Sequence, residues 1–256
     1  MLLVIDIGNT NIVLGVYLNE DLIHSWRVRT ERQATEDEFH ILINNLFLSG
    51  NIDLQNVQET IVSCVVPPMV GVLDSFCKKY LDHTPLWVNA QNVSMPICLK
   101  NKDEVGADRL VNAIAAYKKY GGNLIVIDFG TATTFDCISL KGEYLGGAIS
   151  PGIMIASEAL FMNASKLPRV DIYKTPKNII GKDTAESIQS GIIFGYAGLV
   201  DGIVKRISLE MGGKPTIIAT GGLAPLMADI SEYIEHVESD LTLEGLRLIA
   251  RTKTPA

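Results

Sequence analysis

Apolar positions along this chain fall into a rhythm that is played twice. Positions 2–5 form an unbroken apolar run that ends on Asp6. After a short polar turn, 11–18 return as a second strand rich in Ile, Val and Tyr, and 22–29 alternate as a third. Apolar residues at helical spacing follow over 37–48. A strand-like run at 59–66 stops at Pro67-Pro68, before a predicted helix over 69–80 and a short strand at 86–89. A helix over 107–120 is closed by Gly121-Gly122. The opening then recurs. An apolar run at 124–127 ends on Asp128, a small-residue turn follows, and strands are predicted at 134–140 and 144–149. Helices are expected near 152–164, 184–210, 222–230 and 242–250, with a strand at 216–219 before Thr220-Gly221-Gly222.

The recurrence is visible in the residues themselves. VIDIGNTNIVLGVY at 4–17 resembles VIDFGTATTFDCIS at 126–139. The offset, 128 − 6 = 122, is close to half of the 256 residues. The expected fold is therefore α/β and duplicated, with two copies of one strand-and-helix unit facing a shared cleft. A single division is expected, into 1–118 and 119–256.

Composition narrows the function classes. The charge balance, 22 basic against 29 acidic residues, gives −7, so neither a nucleic-acid nor a membrane surface is expected. No apolar run approaches the length of a membrane span. The N-terminus lacks a basic leader and reaches a carboxylate at Asp6. Cys64, Cys77, Cys98 and Cys137 form no C-x-x-C pair, which fits free thiols in a reducing cytoplasm.

The two Asp-x-Gly turns carry the candidate chemistry. Gly8 lets backbone N–H groups approach an anion, Asn9 and Thr10 add side-chain donors, and Asp6 can hold Mg²⁺ through water. The repeat at Asp128-x-Gly130-Thr131 suggests two phosphate loops for one nucleotide. Neither G-x-x-x-x-G-K-[ST] nor a G-x-G-x-x-G after a strand occurs, so a nucleotide reading rests on these turns and on Thr220-Gly221-Gly222. Asp108 and Arg109 fall in the first turn of a helix after Gly106. Together they offer a proton acceptor for a hydroxyl and a planar cation for an acidic substrate. Helix-dipole complementarity alone would also place an Asp there. The 146–152 segment, GGAISPG, is a candidate substrate loop. Asp183 reads as a helix N-cap that leaves the Thr184 hydroxyl free for substrate. The four histidines show no metal or triad spacing.

Asp6-x-Gly-Asn-Thr10, Gly106-Ala-Asp-Arg109, Asp128-Phe-Gly-Thr-Ala-Thr133, Gly146-Gly-x-x-x-Pro-Gly152 and Thr220-Gly-Gly222 stand in an order that resembles the type III pantothenate kinases, over essentially the whole chain. The resemblance implies duplicated actin-like (ribonuclease H-like) domains with a nucleotide cleft, assembled as a homodimer. It implies ATP-dependent phosphorylation of pantothenate, the first committed step toward coenzyme A, with Mg²⁺ and an activating K⁺ or NH₄⁺. By position, Asp6, Ile7, Gly8, Asn9, Thr10, Asn11, Ile12 and Val13 would form the first ATP loop, and Thr131 a second ATP contact. Asp108 would be the proton acceptor, and Gly106, Ala107, Asp108 and Arg109 would line pantothenate. Asp128 would bind the monovalent cation, and Thr184 would reach pantothenate across the dimer. The family often carries Tyr seven residues before the glycine of Gly-Ala-Asp-Arg; this chain has Leu99 there.

Without the resemblance, Asp108 and Arg109 would suit any hydroxy acid. Transcriptional accessory proteins also resemble the family, but the acidic residues at 6, 108 and 128 favour an enzyme.

Overall fold

The computed structural model describes residues 1–253. Two five-stranded sheets form, one from each copy of the repeat. In the first, β1 (Leu2–Ile7) pairs antiparallel with β2 (Asn11–Leu18), and β2 with β3 (Asp21–Arg29). On its other side β1 runs parallel to β4 (Glu59–Cys64), and β4 to β5 (Leu86–Trp87). The order is β3-β2-β1-β4-β5. The second sheet contains β6 (Leu124–Phe129), β7 (Ala132–Ile138), β8 (Tyr144–Pro151), β9 (Thr216–Thr220) and β10 (His236–Val237). Its order, β8-β7-β6-β9-β10 read from the antiparallel edge, repeats the first strand for strand.

The continuous apolar runs are explained by burial on both faces. Leu3, Ile5 and Ile7 of β1 join a core with Phe39, Ile43 and Phe47 of α1 (Glu36–Ser49) and Leu73 and Phe76 of α2 (Pro68–Tyr80). The alternate residues, Leu2 and Val4, pack with Val111 of α3 (Ala107–Tyr120) and Leu246 of α7 (Leu241–Lys253). Successive side chains of a strand point to opposite faces, so a strand covered on both sides is apolar throughout. In the second sheet Ile125, Ile127 and Phe129 pack with Ile193, Val200 and Val204 of α5 (Thr184–Met211). The remaining helices are α4 (Ile153–Asn163) and the short α6 (Ala224–Ala228). Thr35 begins α1 with a capping box, its hydroxyl accepting Glu38 N–H while the Glu38 carboxylate accepts Thr35 N–H.

Two compact units result, but one cut near residue 118 does not separate them. Among the described residues, the first comprises 1–95, 100–115 and 241–253; the second comprises 96–99 and 116–240. The terminal helix α7 returns to the first unit because its Leu243, Leu246 and Ile249 complete the core over Leu2, Val4 and Ile61. Residues 96–99 join the second unit through backbone pairing with β8, Cys98 N–H to Tyr144 O and Tyr144 N–H to Pro96 O, each 2.8 Å. The strand β10 has no counterpart in the sequence reading, and α6 is shorter than the expected 222–230.

Candidate active site

In the first unit, the buried strand β1 delivers Asp6 to a turn whose tip is open to solvent. Asp6 is only partly buried, while Leu2–Ile5 before it are fully enclosed. Gly8 N–H closes the turn on Asn11 O at 3.0 Å, and Asn9 and Thr10 are exposed at the tip. A Cβ on Gly8 would stand 3.1 Å from Asn11 O, so the tightness of the turn favours glycine. The chain leaving β3 folds back on this turn. Thr30 N–H donates to Thr10 O at 3.0 Å, and the Thr30 hydroxyl donates to Gly8 O at 2.6 Å. Beyond it, Arg32 Nη2 donates to Asn9 Oδ1 at 3.0 Å.

The Gly-Ala-Asp-Arg segment lies at the same end of the same sheet. Val65, directly after β4, donates its N–H to Ile7 O at 3.1 Å. Its Cγ1 lies 3.7 Å from the position a Cβ on Gly106 would take. Val65 thus touches both the Asp6 turn and the start of α3. Asp108, in the first turn of α3, folds back so that Oδ1 accepts Arg109 N–H at 2.8 Å. That carboxylate oxygen covers the Cα of Gly106 and would overlap any Cβ placed there. The glycine two residues before the aspartate is therefore a steric requirement of this carboxylate rotamer. Loss of water around Asp108 pushes its carboxyl above the usual range, while the Arg109 N–H and the Arg109 charge pull the other way. The sequence therefore brings Asp6, Gly8, Gly106, Asp108 and Arg109 to one sheet end of the first unit.

The second unit repeats the turn. Asp128 emerges partly exposed from the buried run of β6, and Gly130 N–H closes on Ala132 O at 3.1 Å. Thr131 is exposed at the tip. Gly221, at φ +91°, sits against the carboxylate; a Cβ there would stand 2.6 Å from Asp128 Oδ1. The Thr220 hydroxyl donates to Glu238 O at 2.7 Å, fixing the residue that precedes Gly221. At Gly152 a Cβ would collide with Thr131 O and stand 2.6 Å from Gly130 O. The glycine-rich 146–152 segment therefore packs directly on the second turn. Leu99 lies beside Gly146, its Cδ2 3.1 Å from where a Cβ would be.

Thr184 is the first residue of α5, and the N-cap Asp183 accepts Glu186 N–H at 2.8 Å. It is exposed and borders an open depression of about 530 Å³ with Leu167, Lys182 and Ser187. The second unit thus holds Asp128, Thr131 and Thr184, and the first holds the other candidates.

Among the described residues, no group of three His, Cys, Asp or Glu side chains could hold a metal ion. A divalent ion at Asp6 would accordingly keep waters or substrate oxygens as its other ligands, as Mg²⁺ does. Ser63, the parallel-strand partner of Asp6, fits such a hydrated site, because its hydroxyl is buried without a hydrogen-bond partner in the structure. Sequence reasoning missed Thr30 and Arg32. Their contacts to the Asp6 turn span 22 and 23 residues, and only the β2–β3 register brings them there.

Comparison with known proteins identifies the family. The sequence profile of the type III pantothenate kinases matches residues 2–206. A type III pantothenate kinase of Desulfatibacillum aliphaticivorans is 65% identical over 250 residues, covering 97% of both chains. Among solved structures, a candidate Baf family transcriptional activator from Campylobacter jejuni superposes with a TM-score of 0.63 at 18% identity, covering 98% of each chain. The ROK hexokinase of Thermus thermophilus gives 0.52 at 13%, over 98% of this chain and 99% of its own. At those identities the two structures speak for the fold alone, a duplicated actin-like one matching the repeated strand order. With the profile and a close relative in agreement over nearly its full length, the chain belongs to the type III pantothenate kinase family and phosphorylates pantothenate with ATP on the way to coenzyme A.

Proposed function

We propose that Asp108 is the general base of this reaction and that the Asp6 turn holds the nucleotide phosphates. The observation that carries the reading is the folding of the Asp108 carboxylate over Gly106, at the sheet end where the Asp6 turn emerges. Asp108 takes the proton of the pantothenate primary hydroxyl as its oxygen attacks the terminal phosphorus of ATP. The bond from that phosphorus to the bridging oxygen breaks, and ADP leaves with the bond's electrons. A carboxylate whose proton affinity is raised by burial is a stronger proton acceptor than an exposed one. Arg109 supplies a guanidinium for the pantothenate carboxylate, with Gly106 and Ala107 shaping the wall beside it. Residues 6–13 and Thr131 take the nucleotide, and Thr184 offers a hydroxyl to pantothenate. Substitution of Asp108 by Asn, followed by separate measurement of pantothenate binding and single-turnover transfer, tests the reading. Binding retained with transfer lost supports it; normal transfer overturns it.

Two ions belong to the proposal. Mg²⁺, held through water by Asp6, would neutralise charge on the phosphates. K⁺ or NH₄⁺ would be held by Asp128, whose Oδ1 and the carbonyl oxygen of Phe129 both face the open Cα of Gly221, at 2.6 and 2.7 Å from the position a Cβ there would take.

A homodimer is supported by exposed apolar side chains on β8 and α4, among them Leu145, Ile149, Met154, Ile155 and Met162. Cytoplasmic residence is supported by four cysteines that are all free. No helix among the described residues is long and apolar enough to cross a membrane.

A further inference from the structure

The segment leaving β3 is fastened to the Asp6 turn at three successive points. Thr30 is buried and uses both its N–H and its hydroxyl on Thr10 O and Gly8 O. Two residues later, Arg32 reaches the Asn9 amide oxygen at the exposed tip. The partner chosen by Arg32 matters. Asn9 Oδ1 is neutral, and no carboxylate among the described residues is ion-paired with Arg32. The guanidinium is therefore oriented without having its charge compensated. One edge is occupied by Asn9, and the remaining N–H donors are open to solvent. A planar cation held in this way suits a phosphate oxygen.

We propose that Arg32 contacts the phosphate chain of ATP and that Asn9 orients it for that contact. The inference rests on the assignment of the Asp6 turn as the phosphate loop. Thr30 fixes the backbone, Asn9 fixes the guanidinium, and the anion completes the charge balance when ATP binds. A surface arginine that merely braced a turn would have no preference for the charge of the ligand, so ligand charge separates the two roles.

The test compares wild type, Arg32→Ala, Arg32→Lys and Gly8→Val, using ATP, ADP and adenosine as probes by calorimetry, together with steady-state kinetics. Arg32→Ala should weaken ATP about tenfold, the usual order for a lost charge-assisted contact at a partly exposed site. Adenosine affinity and KM for pantothenate should stay within about twofold, well below that charge-assisted loss. Arg32→Lys should recover part of the ATP affinity, and the wild-type advantage should shrink as ionic strength rises. Equal weakening of ATP and adenosine would reduce Arg32 to a brace and overturn the inference. So would wild-type ATP affinity in Arg32→Ala while Gly8→Val loses it, and that result would leave the phosphate-loop assignment standing. Unchanged ATP affinity in Gly8→Val would instead remove the loop assignment itself, and the inference with it.

Discussion

Asp108 and Gly106 share one space: the carboxylate oxygen that accepts Arg109 N–H also lies where a side chain on Gly106 would begin. Gly106→Ala should therefore expel Asp108 from its rotamer without disturbing the buried core, since the displaced atoms belong to a side chain at the head of α3. Displacing a reacting group by about 1 Å can cost on the order of 100-fold in rate. We expect a loss of that order in kcat, with KM for ATP unchanged because the Asp6 turn is intact. Steady-state kinetics on the Ala variant check this, and full activity would show that the carboxylate works from another rotamer.

Asp108→Asn should trade rate against stability. Removing the base lowers kcat by about 10²- to 10⁴-fold. Because burial raises the carboxyl above its ordinary value of 3.8, the folded protein binds this proton more readily than the unfolded chain. The sign follows from linkage: the stabilisation is present below the unfolded value and is lost as pH rises through the folded one. Once pH exceeds the folded value, the wild type carries a desolvated anion that the Asn variant lacks. The variant should melt higher at pH 7, and the gap should narrow as pH falls toward the carboxylate range. Thermal melts across pH measure it, and a lower melting temperature at pH 7 would contradict the desolvation argument.

Much of this was legible in the residues. Each apolar run ending on aspartate became a strand buried on both faces, and the repeat at 4–17 and 126–139 became two sheets of identical order. What was not legible depends on distance along the chain. The return of α7 to the first unit is fixed by Leu243 and Leu246 meeting Leu2 and Val4, which local periodicity cannot show. The strand β10 is two exposed residues, His236 and Val237, held by pairing with Ile218 and Ala219 rather than by an apolar pattern. Gly106 was read as a helix-start glycine, but its steric role needed the Asp108 rotamer. Arg32 gave no signal at all, because nothing local distinguishes it from other exposed arginines.

Gly221 tests the second turn in the same way. Its φ of +91° is a region that L side chains rarely adopt, and a Cβ would press on Asp128 Oδ1 at 2.6 Å and on Phe129 O at 2.7 Å. Gly221→Ala combines backbone strain with a clash against main chain, which cannot swing aside. A strained backbone position of this kind costs about 1–3 kcal/mol. Urea denaturation should show at least that loss, whereas Gly222→Ala, which meets nothing within 4 Å, should be far milder. Equal effects at the two positions would mean that the close approach to Asp128 has no structural weight.

The monovalent cation gives the sharpest test of Asp128. A carboxylate at a strand end, facing Gly221 together with the Phe129 carbonyl, offers hard oxygen ligands to a large ion of low charge density. Such an ion would offset phosphate charge without competing for the octahedral, hydrated site that Mg²⁺ prefers. If Asp128 instead only stabilises its turn, the identity of the monovalent ion is irrelevant and salt acts through screening alone. The two roles separate when ionic strength is held constant while Na⁺ is exchanged for K⁺ or NH₄⁺. We expect activity to be low in Na⁺ and to rise on exchange, and Asp128→Asn to flatten the rise. Asp6→Ala should behave differently, impairing use of Mg·ATP in either salt while leaving pantothenate binding measurable. A wild type equally active in Na⁺ and K⁺ would remove the cation from Asp128, and the kinase activity would then run on Mg²⁺ alone.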